Sequence, residues 1–166
     1  MSEGRNNMVN IRPIQQGDNQ LLAELIRSVF HEFGIPKTGT VYSDPKTDRL
    51  YELFQEPGSC YWVAEEDGRV AGGCGLYPTE RLPEGCVELV KFYLLPESRG
   101  KGIGRSLLEK CIESAKQMGY TQVYLESFPQ LGRALYMYEK AGFRQIEEPL
   151  GYSGHFACTL WMVKDI

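Results

Sequence analysis

The sequence has little with which to bind a metal ion or to form disulfides. Only two histidines occur among its 166 residues, and its five cysteines include no C-x-x-C pair. Structural zinc sites and disulfide frameworks need denser patterns of these residues. We therefore expect no resident metal ion and no set of paired cysteines.

Positive charge is also scarce. The chain carries 18 lysines and arginines against 22 aspartates and glutamates, which gives a formal charge of −4 at pH 7. A surface that follows nucleic-acid phosphates needs an excess of basic residues, so no nucleic-acid partner is expected. The negative balance weakly favours a cationic substrate.

Long apolar runs are missing as well. No stretch approaches the roughly 20 apolar residues of a membrane-spanning helix, and the polar segment Met1–Val9 does not resemble a signal peptide. We expect a cytoplasmic protein without a membrane partner. No linker or repeat divides the chain, so we predict a flexible N-terminus over residues 1–9 and a single domain over residues 10–166.

Hydrophobic spacing predicts a mixed α/β fold. The predicted strands cover residues 10–14, 61–64, 70–77, 86–95, 123–127 and 156–163. Of the predicted helices, the first follows an Asp18-Asn19 cap and stops near Gly34, the second covers 47–54, the third includes Ile103 and stops at Gly119, and the fourth covers 131–141. The Asp67-Gly68 pair between two apolar runs predicts a tight β-hairpin. Gly151–His155 narrowly misses a G-x-S-x-G nucleophile motif, so we interpret its Ser153 as a turn residue.

The most informative segment is Arg99–Gly104, a glycine-rich turn between a predicted strand and a predicted helix. Alternating glycines leave bare N–H groups at the helix N-terminus, where a pyrophosphate is stabilised, and Arg99, Lys101 and Arg105 add positive charge. An ordinary glycine-rich turn is the alternative. The G-x-G-x-G spacing disfavours a dinucleotide-binding fold, and the chain lacks the G-x-x-x-x-G-K-[ST] motif of a P-loop.

Two segments resemble motifs of the GNAT family of N-acetyltransferases. Arg99-x-x-Gly102-x-Gly104 matches the family's R/Q-x-x-G-x-G/A acetyl-CoA motif, and Ala134–Phe143 is similar to its A-x-x-x-Y-E-K-x-G-F segment. The resemblance implies a mostly antiparallel central sheet of six to seven strands, flanked by about four helices. It also implies an N-acetyltransferase with acetyl-CoA as its co-substrate.

The same resemblance implies where acetyl-CoA binds. Backbone atoms of Phe92, Tyr93 and Leu94 would contact its pantetheine arm. After Arg99, the pyrophosphate would be held by Gly100, Lys101, Gly102, Ile103, Gly104 and Arg105. Leu131 stands where the family often has an asparagine, which puts that side-chain hydrogen bond to the cofactor in doubt.

The resemblance further implies that Tyr138 lies near the sulfur and protonates the leaving thiolate. The alternative for Tyr138 is an aromatic side chain that only packs in the core. Two glutamates match bases of the family: Glu88 matches the strand glutamate of its histone-acetylating branch, and Glu126 matches the base of its ribosomal-protein branch. For either one, the alternative is a surface or ion-paired glutamate.

A base is needed because only a neutral amine attacks a thioester. An amine with a pKa of ~10.4 is neutral in about one molecule in 2,500 at pH 7. We favour Glu88 as the base, because it lies inside the apolar run Cys86–Val90, where burial raises the pKa of a carboxyl group.

The expected acceptor is a primary amine of a small molecule, a peptide or a protein. The resemblance implies that the loop Phe30–Tyr42 and the segment Gly151–His155 shape its binding site. We expect direct transfer to it, since only Cys158, near His155, suggests an acyl carrier. The alternative function is a catalytically weak acetyl-CoA-binding module or sensor, which only Leu131 favours. The sequence leaves a homodimer open.

Overall fold

Residues 8–166, which the computed structural model describes, form one seven-stranded sheet with helices on both faces. The strands are β1 (Val9–Pro13), β2 (Cys60–Glu66), β3 (Arg69–Tyr77), β4 (Cys86–Leu94), β5 (Gln122–Ser127), β6 (Arg144–Ile146) and β7 (Leu160–Asp165). Their order is β1-β2-β3-β4-β5-β7-β6, and only β4 and β5 pair in parallel. The predicted mixed α/β fold with a mostly antiparallel sheet is confirmed.

In the same range, four α-helices cover the sheet: α1 (Asn19–Phe33), α2 (Leu50–Leu53), α3 (Ile103–Gln117) and α4 (Gly132–Lys140). Neighbouring residues of a strand point to opposite faces. Val63 accordingly packs with the helices α1 and α2, whereas Ala64 packs with α3 and α4. None of these helices is long and apolar enough to cross a membrane.

Local sequence signals set the ends of several elements. The helix α1 buries Leu22, Ile26 and Phe30 along one stripe and ends at Gly34, whose φ of +62° suits a glycine cap. The hairpin between β2 and β3 turns at Asp67-Gly68, where φ is +52° and +79°. Positive φ at both turn positions matches the twist of the flanking strands. The predicted hairpin is confirmed.

The predicted flexible N-terminus, residues 1–9, lies outside the described residues except at Met8 and Val9. Val9 is the first residue of β1, one position earlier than predicted. The N–H of Met8 donates a hydrogen bond of 3.0 Å to the Asp67 carboxylate, so the chain is held in the sheet from this point.

The second helix differs from its prediction over residues 47–54. A 3₁₀ helix covers Pro45–Arg49, and α2 takes only the four residues that follow. The buried Thr47 hydroxyl donates to the Val41 carbonyl at 2.6 Å, while Asp44 accepts the Lys46 N–H at 2.9 Å. These side-chain bonds favour the tighter turn at the start of the segment.

The C-terminal strands also differ from the prediction. The short strand β6 was not predicted, because three residues are too few to show alternation. The strand β7 begins at Leu160 rather than at Phe156, and residues 147–159 form a loop. In that loop Gly151 and Gly154 have φ of +63° and +81°, which interrupts any extended strand.

The parallel strands β4 and β5 part in the middle of the sheet. Their pairing covers three residues of each strand and ends with Glu88 opposite Tyr124. Beyond it, Gly73 of β3 pairs with Tyr93, but Gly75 pairs with Val90, so β4 contains one additional residue. Lys91 lies in this bulge with φ of +52°. The bulge bends β4 away from β5 and opens a cleft between them.

Tyr61 of β2 holds the bulge in place. Its hydroxyl donates a hydrogen bond of 2.7 Å to the backbone carbonyl of Lys91. The tyrosine ring lies over Gly73 and Gly75 of β3, where an added Cβ would stand only 2.4 and 2.6 Å from ring atoms. Only glycine at these two positions leaves room for the ring.

Candidate active site

Two cavities adjoin where β4 leaves β5. The acidic cavity has a volume of about 540 Å³, and its carboxylates are Asp44, Glu56, Glu80, Glu88 and Glu126. The glycine-turn cavity has a volume of about 790 Å³ and is bounded by β4, the turn after it and α4. Four residues line both cavities: Phe92, Tyr93, Leu131 and Tyr138. A molecule in one cavity can therefore reach a molecule in the other at these four side chains.

The glycine-turn cavity brings together most of the residues expected to bind the cofactor: Phe92, Tyr93, Leu94, Arg99, Gly100, Gly102, Gly104 and Arg105. Gly100 and Gly102 have φ of +75° and +84°, a backbone conformation that favours glycine. Lys101 and Ile103 do not line the cavity. Lys101 pairs with Glu66 at 3.0 Å, and the Ile103 side chain is buried in the core.

The basic side chains of the turn already have acidic partners. Arg99 pairs with Glu32 at 2.6 Å, and Arg105 pairs with Glu109 at 3.0 Å. Arg133, in the first turn of α4, also lines the glycine-turn cavity and forms no ion pair with any residue in 8–166. Arg133 was not predicted as a site residue, because a basic residue near the start of a predicted helix is a weak signal.

Tyr138 lies at the junction of the two cavities. Its ring packs between Phe92 and Phe143, with centroid distances of 6.1 and 5.7 Å, and only 6% of the residue is exposed. The hydroxyl has no hydrogen-bond partner among the described residues. Burial raises the pKa of Tyr138 well above its ordinary value. The side chain therefore packs in the core and also presents a protonated hydroxyl to the cleft.

Glu88 is a buried carboxyl group in the acidic cavity, with 4% of the residue exposed. Burial and the nearby charge of Glu126 raise its pKa from 4.5 to about 7, although a hydrogen bond of 2.5 Å from Thr79 opposes the shift. A carboxyl group with this pKa can accept a proton near neutral pH.

Glu126 is held by two hydroxyl groups. One of its carboxylate oxygens accepts a hydrogen bond of 2.7 Å from Tyr124, and the other accepts one of 2.6 Å from Ser153. Ser153 was interpreted as a turn residue, but it also orients this carboxylate from the loop 147–159. Glu126 is partly exposed and lines the same cavity as Glu88.

Lys91, which was not predicted as a site residue, lines the acidic cavity together with Glu88. Only 9% of the residue is exposed, and burial lowers the pKa of its ammonium group. The charges of Asp44 and Glu88 act in the opposite direction. Lysine inside an apolar strand gives no sequence signal of its own, because the position of the bulge decides which face it occupies.

Two segments form the outer wall of the acidic cavity, and a contact between their side chains joins them. His155 Nε2 lies 3.0 Å from a carboxylate oxygen of Asp44. Of the expected acceptor loop, residues 30–42, only Thr40 and Val41 line the cavity. Burial raises the pKa of the Cys158 thiol to about 12, so this thiol is a poor nucleophile and does not favour an acyl carrier.

Known proteins share this architecture. The chain matches the model of the acetyltransferase (GNAT) family over residues 21–143. It is 37% identical over 157 residues to the uncharacterized N-acetyltransferase YjgM of Escherichia coli, with 94% of each chain covered.

Solved structures have the same fold. A GNAT-family acetyltransferase from Staphylococcus aureus has a TM-score of 0.83 and 23% identity, covering 95% of this chain and 99% of that one. The putative acetyltransferase yncA from Salmonella typhimurium, solved with acetyl-CoA, has a TM-score of 0.74 and 22% identity, covering 95% and 94%. The family match and the YjgM relative together establish that the chain belongs to the GNAT family, as an N-acetyltransferase with acetyl-CoA as its co-substrate.

Proposed function

We propose that this protein transfers the acetyl group of acetyl-CoA directly to a primary amine, with Glu88 as the base and Tyr138 as the acid. The observation that carries the proposal is Glu88 itself. Its carboxyl group is buried, has a pKa of about 7, and lies in a cavity that adjoins Tyr138. A solvated surface glutamate would be too weak a base to take the proton of an ammonium group efficiently.

In the proposed complex, acetyl-CoA occupies the glycine-turn cavity. Its pyrophosphate lies against residues 100–105, at the N-terminus of α3, where free N–H groups and the helix dipole favour an anion. Arg133, which lines the same cavity near Gly100, adds positive charge there. The pantetheine arm lies along the backbone of Phe92–Leu94, which directs the thioester toward Tyr138.

The acceptor enters through the acidic cavity as an ammonium ion. Glu88 takes one proton, and the neutral nitrogen attacks the thioester carbonyl carbon, so that a C–N bond forms and the C–S bond breaks. Tyr138 donates its proton to the departing thiolate. As the amide forms, the nitrogen loses its second proton, which passes through solvent and reprotonates the Tyr138 hydroxyl. Glu88 then releases its own proton to water. The products are the N-acetylated amine and CoA.

The test is to incubate the purified protein with acetyl-CoA and a panel of primary amines and to measure free thiol. Amine-dependent thiol release that Glu88→Gln abolishes supports the proposal. Binding of acetyl-CoA without any amine-dependent release contradicts it and favours the binding-module alternative. The cytoplasmic location and a homodimer stay predictions.

A further inference from the structure

Lys91 is a buried charge that the proposed chemistry does not use. Its side chain lies among Asp44, Glu88 and Lys46, and all four residues line the acidic cavity. Its ammonium group forms neither a hydrogen bond nor an ion pair with any residue in 8–166. No side-chain nitrogen of the described residues is both fully buried and unpartnered, so this ammonium group reaches the open space of the cavity, where a bound anion would stabilise it.

The neighbouring carboxylates are engaged elsewhere. Asp44 pairs with His155 at 3.0 Å and accepts the backbone N–H of Lys46 at 2.9 Å. Glu88 accepts the hydroxyl of Thr79 at 2.5 Å. Both carboxylates attract Lys91 from a distance but leave its N–H donors free for a ligand.

The bulge is the reason that Lys91 and Glu88 share a cavity. Side chains alternate along a regular strand, so residues three positions apart face opposite sides of a sheet. The extra residue in β4, with φ of +52° at Lys91, shifts that alternation by one position. The bulge thereby places one basic and one acidic group in the same pocket.

These two groups are also the buried charges of the cavity. Lys91 is 9% exposed and Glu88 is 4% exposed, whereas Asp44 and Glu126 are half-buried and Glu56, Glu80 and Lys46 are exposed at the rim. The inner part of the cavity therefore matches a small molecule that carries one amine and one anionic group. A polyamine would place a second cation against Lys91, and the N-terminal amine of a peptide has no carboxylate close to it.

We infer that Lys91 binds a carboxylate of the acceptor and that the acceptor is a free amino acid. The inference rests on the proposed function, because Glu88 determines where the amine lies. Lys91 is then a specificity-determining residue, which separates amino acids from amines that lack the carboxylate.

The experiment uses matched sets of acceptors: L-phenylalanine, L-phenylalaninamide and 2-phenylethylamine, with the corresponding sets for L-lysine and L-histidine. Each is assayed by thiol release with wild type, Lys91→Met and Lys46→Met. We expect wild type to prefer the amino acid of at least one set by about 10- to 100-fold in kcat/KM, mainly through KM. The charge of Lys91 also lowers the pKa of Glu88, so the readout is the ratio of kcat/KM for the amino acid to kcat/KM for the amide, from which that common effect cancels. Lys91→Met should bring this ratio close to one.

Lys46→Met is the control, because it removes an exposed lysine from the rim of the same cavity. It should keep the preference for the amino acid. Equal use of amino acid and amide by wild type, or a preference that survives in Lys91→Met, overturns the inference. Loss of the preference in Lys46→Met also overturns it, since the anchor would then be Lys46. Lys91→Gln serves as a second variant if Lys91→Met does not fold.

Calorimetry separates this inference from the proposed function. The amino acids are titrated into the protein saturated with CoA, and binding is compared between wild type and Lys91→Met. If no amine is acetylated, the proposed function fails, but binding of an amino acid that requires Lys91 still supports the carboxylate site. Absence of binding to wild type contradicts it.

Discussion

Thr79, two residues after the end of β3, donates its hydroxyl hydrogen to Glu88 across 2.5 Å. Burial and the charge of Glu126 raise the pKa of Glu88, and this hydrogen bond lowers it, with a net value of about 7. Thr79 thus keeps the pKa of the proposed base lower than burial and Glu126 alone would make it, although Thr79 takes no proton itself.

Removing this hydroxyl should destabilise the ionised form of Glu88 relative to its protonated form. We expect Thr79→Val to raise the pKa of Glu88, so that the acidic limb of the kcat/KM profile moves about one unit toward higher pH. Thr79→Ser, which keeps a hydroxyl, is the control and should leave the limb near its original position. A limb that stays in place in Thr79→Val would mean that Glu88 does not control it.

The two glutamates should respond differently to loss of charge. Glu88→Gln is expected to lower kcat/KM by at least about 100-fold and to remove the acidic limb of its pH profile. Glu126→Gln should mainly raise KM for the amine, because Tyr124 and Ser153 already occupy both of its oxygens. Steady-state kinetics against pH would distinguish them, and the reverse pattern would make Glu126 the base.

Tyr138→Phe tests the proposed acid without disturbing the aromatic packing between Phe92 and Phe143. Turnover should fall by about 10- to 1,000-fold, the range expected for loss of an acid that water can partly replace. Affinity for acetyl-CoA and the thermal midpoint should stay close to wild type, as measured by calorimetry and by thermal unfolding. If turnover is unchanged while chemistry limits the rate, Tyr138 is only a packing residue.

The glycine turn can be tested with a matched pair of variants at Gly102. Its φ of +84° strains any side chain, but a Cβ there would meet no atom within 4 Å. Gly102→Ala therefore introduces the strain alone, and Gly102→Asp adds a negative charge beside the proposed pyrophosphate site. We expect Gly102→Asp to bind acetyl-CoA at least about tenfold more weakly than Gly102→Ala, by calorimetry. Equal affinities would place the pyrophosphate elsewhere.

Glu88 should also make stability depend on pH. Its pKa in the folded protein, about 7, exceeds the ordinary 4.5. Between these values the folded state holds a proton that the unfolded chain has released, so the free energy of unfolding falls as pH rises through this window. Glu88→Gln cannot ionise and should be about 1–3 kcal/mol more stable than wild type at pH 8, and close to wild type at pH 4.

Urea denaturation at both pH values measures this difference. The control is Glu109→Gln, whose exposed ion pair with Arg105 on α3 should contribute little at either pH. A gain in Glu88→Gln that is the same at pH 4 and pH 8 would show that ionisation is not its cause.

Elements with their own local signals could be predicted from the sequence. The Asp67-Gly68 turn needs only two residues that tolerate positive φ, and α3 shows its buried stripe over fifteen residues. The loop 147–159 could not be predicted, because distant contacts hold it. His155 is bound to Asp44, and Ser153 to Glu126, across long separations in the chain.

The residues of the candidate site also differ in whether the sequence alone identifies them. Glu88 and Tyr138 are recognisable because each belongs to a segment that resembles a family motif. Lys91 and Arg133 are not, because what distinguishes them is that neither has a direct ionic partner among residues 8–166. Spacing along a chain does not show whether a charge will find its counterion after folding.

Gly73 lies in β3 and lines neither cavity. Its missing side chain nevertheless admits the Tyr61 ring, whose hydroxyl is bonded to the carbonyl of Lys91 in the bulge. A methyl group at position 73 would have to displace that ring. In a library of random variants screened for acetylation, substitutions at Gly73 should therefore be recovered among the inactive clones, although the residue touches no substrate.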